Sequence, residues 1–440
     1  MQNITMIEKA PKLTEKDKRA IFSHFSDIAF QNVLNYCSDR YLYWDKVKYH
    51  SDPYDPKEVW AALSFNRQIN SNYVDIGKYS FRYTVTSAMQ KYLHLFDMQM
   101  GGAIPISSIP NMDDRQYYLV SSLMEEAIAS SQMEGASTTR KVAKEMLRKQ
   151  ERPKDKSQIM ILNNYKTIQY LVEHKDEQLT PELLLQVHQM ITAGTLDSSE
   201  DENNFRTTDD IVVADGISGE VAHVPPKATE LPRLVSRLCA YFNREYSLLD
   251  MKKEFVHPVI KAIIIHFLVA WLHPFTDGNG RTARSLVYWF LLKQGYRFME
   301  YLSISRIIYR TKAQYEKAFL YTENDNNDIG YFLHYNIEVL RKAADELKEY
   351  LERKSQQRHN VSLFVQQGMN QRQAQLMVRL EQNPDDVITV KEYAVLFGVA
   401  NQTARSDLYE LARKDRLQKI SLNKRKAGFM LKKNKTHNFS

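Results

Sequence analysis

Apolar residues recur at helical spacing through most of this 440-residue chain, and β-type alternation replaces that pattern at two places. A helical start from Thr14 to about Cys37 leads into a tyrosine-rich run and then a stripe of Trp60, Leu63 and Phe65 that reads as core. From about Asp114 to Gly135, Leu119, Leu123 and Ile128 mark an amphipathic helix, and Gly135 supplies its stop. Leu162 to His174, Pro181 to Ile191, Leu231 to Leu249, His257 to Leu272 and Thr311 to Tyr321 continue the helical pattern. In the second of these, His188 shares a face with Leu184, Val187 and Ile191, the position of a packed or capping histidine. The first β-type stretch, Asn203 to Pro226, turns around Asp215, Gly216 and Gly219 and reads as a hairpin.

The last 75 residues have a different rhythm. Asn370 with Gln373 and Thr389 with Glu392 fit capping boxes, so helices should start at both places. Val390 to Phe397, a Gly-containing turn and Gln402 to Lys414 make helix, turn, helix, and Ile420 to Leu431 alternates as a small hairpin. The whole predicts a mainly α chain with a helical N-terminal region over 1–108 and a helical core over 109–355. A polar, glutamine-rich linker over 356–368 and a small α+β domain over 369–440 complete it.

Composition adds three constraints. A hydrophobic fraction of 43% is enough for sizeable cores. The two cysteines, Cys37 and Cys239, lie far apart without a CxxC, which excludes a disulfide framework and a zinc site. The longest apolar run, Ala262 to Leu272, is too short to span a bilayer, and the N-terminus has no signal-peptide core, so a cytoplasmic protein without membrane contact is expected. Charge is unevenly spread: residues 366–440 hold 14 Lys and Arg against 7 Asp and Glu, which accounts for the entire net charge of +7. An anionic partner for that module follows.

The chemistry is concentrated in HPFTDGNGRTAR, His273 to Arg284. Pro274 disfavours the α conformation for His273 and should end the preceding helix there. A second helix opens near Asn279 and runs towards Gly295, with Ala283, Leu286 and Val287 at helical spacing. The glycine turn thus lies at a helix N-terminus, where the N–H groups of Gly278, Asn279 and Gly280 can cradle phosphate oxygens. His273 suits the role of a base at neutral pH, and the single carboxylate of Asp277 suits Mg²⁺, which takes few protein ligands beside phosphate and water. Arg281 and Arg284, three apart, share a helix face from which both can reach a phosphate chain. Phe275 should be a buried anchor. A P-loop would need a lysine after the glycines, and an EF-hand would need glycine and glutamate where Thr282 and Tyr288 stand, so neither fits.

This string resembles the signature of the Fic family, HxFx(D/E)GNGRxxR, with His273, Phe275, Asp277, Gly278, Asn279, Gly280, Arg281 and Arg284 all in place. Ser130, Glu134 and Gly135 are similar to the (S/T)xxxE(G/N) inhibitory motif of some members. The resemblance implies a Fic-type helical core with a β-hairpin flap, and transfer of AMP from ATP, with Mg²⁺, to a Tyr, Thr or Ser hydroxyl of an unknown target protein. Self-AMPylation and homo-oligomerisation are open. It also implies nucleotide contacts from the 275–284 turn, Thr282 and Ala283 included, and from Tyr315 at the adenine. Glu134 would pair with Arg284 and inhibit in cis. Two alternatives stay open: removal of AMP at the same site, and a transcriptional regulator whose core senses nucleotide. The C-terminal module resembles a winged helix-turn-helix, in which Gln402, Thr403, Arg405 and Ser406 would enter the DNA major groove and Lys424, Arg425 and Lys426 would meet phosphate; protein contact is the other use of such a module.

Overall fold

A computed structural model describes residues 7–17, 19, 24, 26–100, 112–198, 201–214, 221–245, 255–423 and 426–432. The chain divides into two compact units, Met1–Asp345 and Glu346–Ser440. The first is helical, with two small antiparallel hairpins. In chain order its elements are α1 (Ile28–Asp39), α2 (Pro56–Ile69), β1 (Asn72–Ile76), β2 (Tyr79–Tyr83) and α3 (Ser87–Met100). There follow α4 (Met112–Met133), α5 (Arg140–Lys149), α6 (Lys156–Glu173), α7 (Pro181–Thr192), β3 (Val213–Ala214) and β4 (Val221–His223). The series closes with α8 (Leu231–Asn243), α9 (Pro258–Leu272), α10 (Asn279–Lys293), α11 (Ile304–Arg310), α12 (Lys312–Asn324) and the start of α13 (Gly330–Gln366). No helix among the described residues is long and apolar enough to cross a membrane.

At the centre, α9 packs on α10, with α4, α6 and α7 around the latter. All but two residues of α9 are buried, because Ile, Val, Leu and Phe occupy every face and neighbours cover them all. The N-terminal region, expected to stand apart, belongs to this same unit. Its buried Arg67 donates to the Tyr331 hydroxyl at 2.6 Å and to the Leu42 carbonyl at 3.0 Å, and Tyr331 donates on to Asp325 at 2.8 Å. Arg82 on β2 pairs with Asp325 at 3.0 Å, and Tyr41 donates to Asp328 at 2.7 Å. A Cβ on Gly330 would lie 2.0 Å from the Tyr41 ring, so this approach requires glycine. Of the expected stripe, Trp60 and Leu63 are buried, but Phe65 is 42% exposed: it lies off the buried face of α2. The β1–β2 hairpin was invisible to the helical reading. The helical start at Thr14 lies partly outside the described residues; α1 begins at Ile28, capped by Asp27.

In the second unit α13 replaces the linker: it stays helical to Gln366. Polarity misled here, because Gln, Glu, Lys and Arg are good helix formers and neither Gly nor Pro interrupts residues 341–367. Gly368, at φ +79°, ends the run. Then come α14 (Gln371–Gln382), β5 (Ile388–Thr389), α15 (Val390–Phe397), α16 (Asn401–Arg413), β6 (Leu417–Asn423) and β7 (Lys426–Leu431), with sheet order β5-β7-β6. Both capping boxes form. The buried Asp407 of α16 accepts from Asn370 at 2.8 Å, Arg372 at 2.9 Å and the Tyr393 hydroxyl at 2.9 Å, tying three helices together. Asp407→Ala leaves those donors unpaired and should destabilise this unit by about 2–3 kcal/mol, read as a lower urea midpoint for its transition. An unchanged midpoint would refute the tie.

Candidate functional site

The turn between α9 and α10 is built by backbone constraints. His273 closes α9 in the left-handed region, at φ +45° and ψ +58°, leaving the right-handed helical conformation that the following proline disfavours. Asn279 then closes the turn on itself: its amide accepts from the Phe275 N–H at 3.0 Å and donates to the Phe275 carbonyl at 2.8 Å. Phe275 is fully buried, stacked on His188 at 3.6 Å between ring centroids and 5° between planes. His188 Nε2 donates to the Asp277 carbonyl at 2.8 Å, which makes it the packed histidine expected and a support of the turn. Gly278, at φ +84°, admits no side chain, since a Cβ would meet Thr192 at 2.8 Å and the His188 ring at 3.3 Å.

On this turn His273 Nδ1 faces the Ala270 carbonyl at 3.3 Å, so it carries the proton and Nε2 keeps the lone pair. Burial lowers the His273 pKa and favours the neutral ring, the form a base needs. Asp277 is half exposed; it accepts from the Gly278 N–H at 2.5 Å and pairs with Arg281 at 3.1 Å. No group of three His, Cys, Asp or Glu that could hold a metal occurs among the described residues. A lone exposed carboxylate beside a helix N-terminus fits an ion that takes its other ligands from phosphate and water.

The two arginines diverge. Arg284 turns to α4: Nε donates to Ser130 Oγ at 2.9 Å, and Nη2 donates to the Ser130 carbonyl at 2.9 Å and to Glu134 Oε1 at 2.8 Å. Arg281, expected beside it, is completely buried and donates to the Ile191 carbonyl at 3.3 Å as well as to Asp277. Three residues advance about 300° around a helix and so leave the pair only about 60° apart. It is their partners that draw them apart, the Ile191 carbonyl and Asp277 for Arg281 and Ser130 and Glu134 for Arg284. Thr282 and Ala283, expected to touch nucleotide, have fully buried side chains that face the core. Asn279 likewise spends its side chain on the turn. Gly135 ends α4 at φ +93°, as expected.

Glu134 lies over the glycine turn. A Cβ on Gly280 would be 2.2 Å from its Oε1, so the carboxylate rests against the first turn of α10, where the backbone N–H groups have no partner within the helix. Two buried carboxylates anchor α4 behind it. Glu125 pairs with Arg140 and Lys144, each at 2.6 Å, and Glu126 accepts from the Ser305 N–H at 2.9 Å at the start of α11. Tyr315 lies 3.0 Å from His266 Nε2 within a ring cluster of Phe319, Phe332 and Tyr335.

The sequence reading missed Arg206. Its side chain is 1% exposed, and its Nε donates to the His273 carbonyl at 2.8 Å. Nothing in the local pattern marks it, because two of its three acceptors come from other segments. The expected hairpin forms, with Val213 opposite His223, while its tip at Asp215, Gly216 and Gly219 lies outside the described residues.

The Fic/DOC family model matches residues 178–291, which hold the whole turn. The chain carries a Fic/DOC domain. A DeoR-like helix-turn-helix domain matches residues 372–421. The chain is 30% identical over 204 residues to the protein adenylyltransferase Fic of Culex quinquefasciatus, covering 46% of this chain and 35% of that protein. The Drosophila willistoni protein of the same name is 40% identical over 74 residues, 17% of this chain and 14% of its own length. The chain thus spans about a third or less of these curated relatives. A crystal structure of a Fic family protein from Desulfovibrio desulfuricans G20 shares the fold, with a TM-score of 0.52 and 16% identity over 81% of this chain and 99% of that one.

Burial holds His266 neutral, its pKa lowered to about 3 from an ordinary value near 6.5. In mild acid the unfolded chain binds a proton here that the folded chain refuses. The resulting stability is complete above about pH 6.5 and is lost as pH falls towards 3. His266→Gln, which can still bond Tyr315, should therefore flatten the fall of Tm between about pH 6.5 and 4. Equal slopes in thermal melts would contradict this assignment.

Proposed function

We propose that the chain is a protein adenylyltransferase, held inactive in cis by Glu134, with a DNA-binding C-terminal module. One observation carries the enzymatic reading: a carboxylate, bonded to Arg284, occupies the anion cradle over Gly280 beside the neutral base His273. An anion site next to a base is what attack by a hydroxyl on a phosphate requires. The target hydroxyl gives its proton to His273 Nε2 as its oxygen bonds the α-phosphorus of ATP, and the bond to the β-phosphate oxygen breaks to release pyrophosphate. The N–H groups at the start of α10 take phosphate oxygens, and Arg284 takes the terminal phosphate once Glu134 leaves it. Asp277 would hold Mg²⁺, which when bound neutralises phosphate charge; Arg281 fixes the Asp277 carboxylate. Tyr315 borders the adenine. The β3–β4 hairpin acts as a flap that takes the target segment as an added strand.

Glu134→Gly should raise transfer from ATP by about tenfold or more, the effect of removing a competing contact of about 1.4 kcal/mol. His273→Ala in the same background should lower it by about 10²–10⁴-fold. Intact-mass analysis after incubation with ATP, UTP or CTP reads both the rate and the group added. An unchanged or lower rate in Glu134→Gly would defeat the inhibitory role, and loss of AMP from a pre-modified target would favour the reverse reaction.

The DNA reading rests on α16. Ala404, Leu408 and Leu411 are buried, while Gln402, Arg405 and Ser406 are exposed along one side. Of the basic hairpin tip, Lys424 and Arg425 lie outside the described residues, and Lys426 begins β7. Arg405→Ala should weaken duplex DNA binding by about 1–3 kcal/mol if it reads a base, or reduce the salt slope by about one if it meets phosphate. Binding that neither weakens nor changes its salt dependence would exclude this face.

A further inference from the structure

We infer that Arg206 is a positioning residue that locks the flap and the catalytic turn into one body, so that a target segment seated on the flap reaches His273 in register. This rests on the transferase reading. The Arg206 side chain, almost wholly buried, bonds three backbone carbonyls, one beside it in its own segment and two from other segments. Nε donates to His273 at 2.8 Å, Nη1 to Thr208 at 2.9 Å and Nη2 to Pro226. Its own backbone N–H donates to the Pro274 carbonyl at 2.9 Å. Thr208 and Pro226 are the two feet of the flap, and His273 and Pro274 open the catalytic turn. One planar cation therefore fixes both feet and the orientation of the His273 peptide.

Neighbouring contacts complete the clamp. Asp209 Oδ1 accepts from the Ala228 N–H at 2.6 Å, closing the flap base a second time, and lies 3.6 Å from Arg206 Nη1. On the return strand β4, His223 Nε2 donates to the Trp271 carbonyl at 2.7 Å, two residues before His273, and its Nδ1 lies against Glu323 of α12. Carbonyls fixed in the main chain cannot turn to follow a smaller cation. A lysine ammonium, being a point donor on a flexible stem, would reach one of them and release the others. Burying a guanidinium is costly, and backbone carbonyls on opposite sides of it offset that cost only in this arrangement.

The test uses the full chain in the Glu134→Gly background. Arg206→Lys and Arg206→Ala should lower AMP transfer to target by about 10- to 100-fold. ATP affinity by calorimetry should stay within about twofold, because Arg284 and Gly280 are untouched. Methylguanidinium should restore part of the rate to Arg206→Ala and none to Arg206→Lys. Hydrogen exchange reads the clamp without activity: in Arg206→Lys the amides of residues 221–224 and 273 should speed up together while those of α10 do not. Asp209→Ala, which opens the flap base alone, should speed up 221–224 and leave 273 unchanged. Exchange confined to the flap in Arg206→Lys, or undiminished transfer, would overturn the proposal. If the Glu134→Gly parent transfers no nucleotide, the transferase reading fails, and the exchange data still decide the clamp.

Discussion

Two hydrogen bonds between the Asn279 amide and the Phe275 backbone define the turn on which the chemistry depends. They force the chain leaving α9 to reverse within seven residues and to enter α10 with its first N–H groups unpaired and facing the site. Everything nearby serves that reversal. His188 holds the Asp277 carbonyl and the face of Phe275, Arg281 holds the Asp277 carboxylate, and Gly278 supplies a conformation closed to other residues. A catalytic group on such a turn keeps its geometry because its supports come from elements on several sides, not from the loop itself.

Against that turn, the end of α4 presents the carboxylate of Glu134. Glu134 is the last side chain before the Gly135 stop, a helix end where a negative charge is disfavoured without a cation nearby. Arg284 is that cation, and the unpaired N–H groups of α10 add to its field. Behind Glu134, Glu125 and Glu126 fasten α4 to α5 and to the start of α11. The proposed inhibition and the anchoring thus share one helix. Breaking the Glu134–Arg284 pair needs motion of one side chain, whereas displacing the whole helix would expose two buried carboxylates.

Much of the site was legible from local rules. Pro274 announced where α9 ends, Gly135 where α4 ends, and the apolar stripe after Asn279 the course of α10. His188 read as a packed residue because it has apolar neighbours at helical spacing. Partners from distant segments were not legible. Arg206 gave no sign, since two of its three acceptors lie on Pro226 and His273; Arg281 and Arg284 looked equivalent on a helical wheel, yet α7 claims one and α4 the other. The supposed linker was a helix whose polar residues suit helix formation as well as they suit a loop, and the N-terminal region hid its attachment in Arg67 and Asp325, more than 250 residues apart.

The sequence by itself determined the chemical inventory and the local conformations: a histidine before proline, glycines at a helix start, a carboxylate at a helix end, two capping boxes in the C-terminal module. Those are decided by interactions within a few residues, so a linear reading recovers them. Tertiary structure alone decided how Arg206 fastens the hairpin base to His273 and how Arg67 and Asp325 tie the N-terminal region to the core. Each of those pairings joins segments far apart in the chain, and nothing in the spacing of residues records which segments meet.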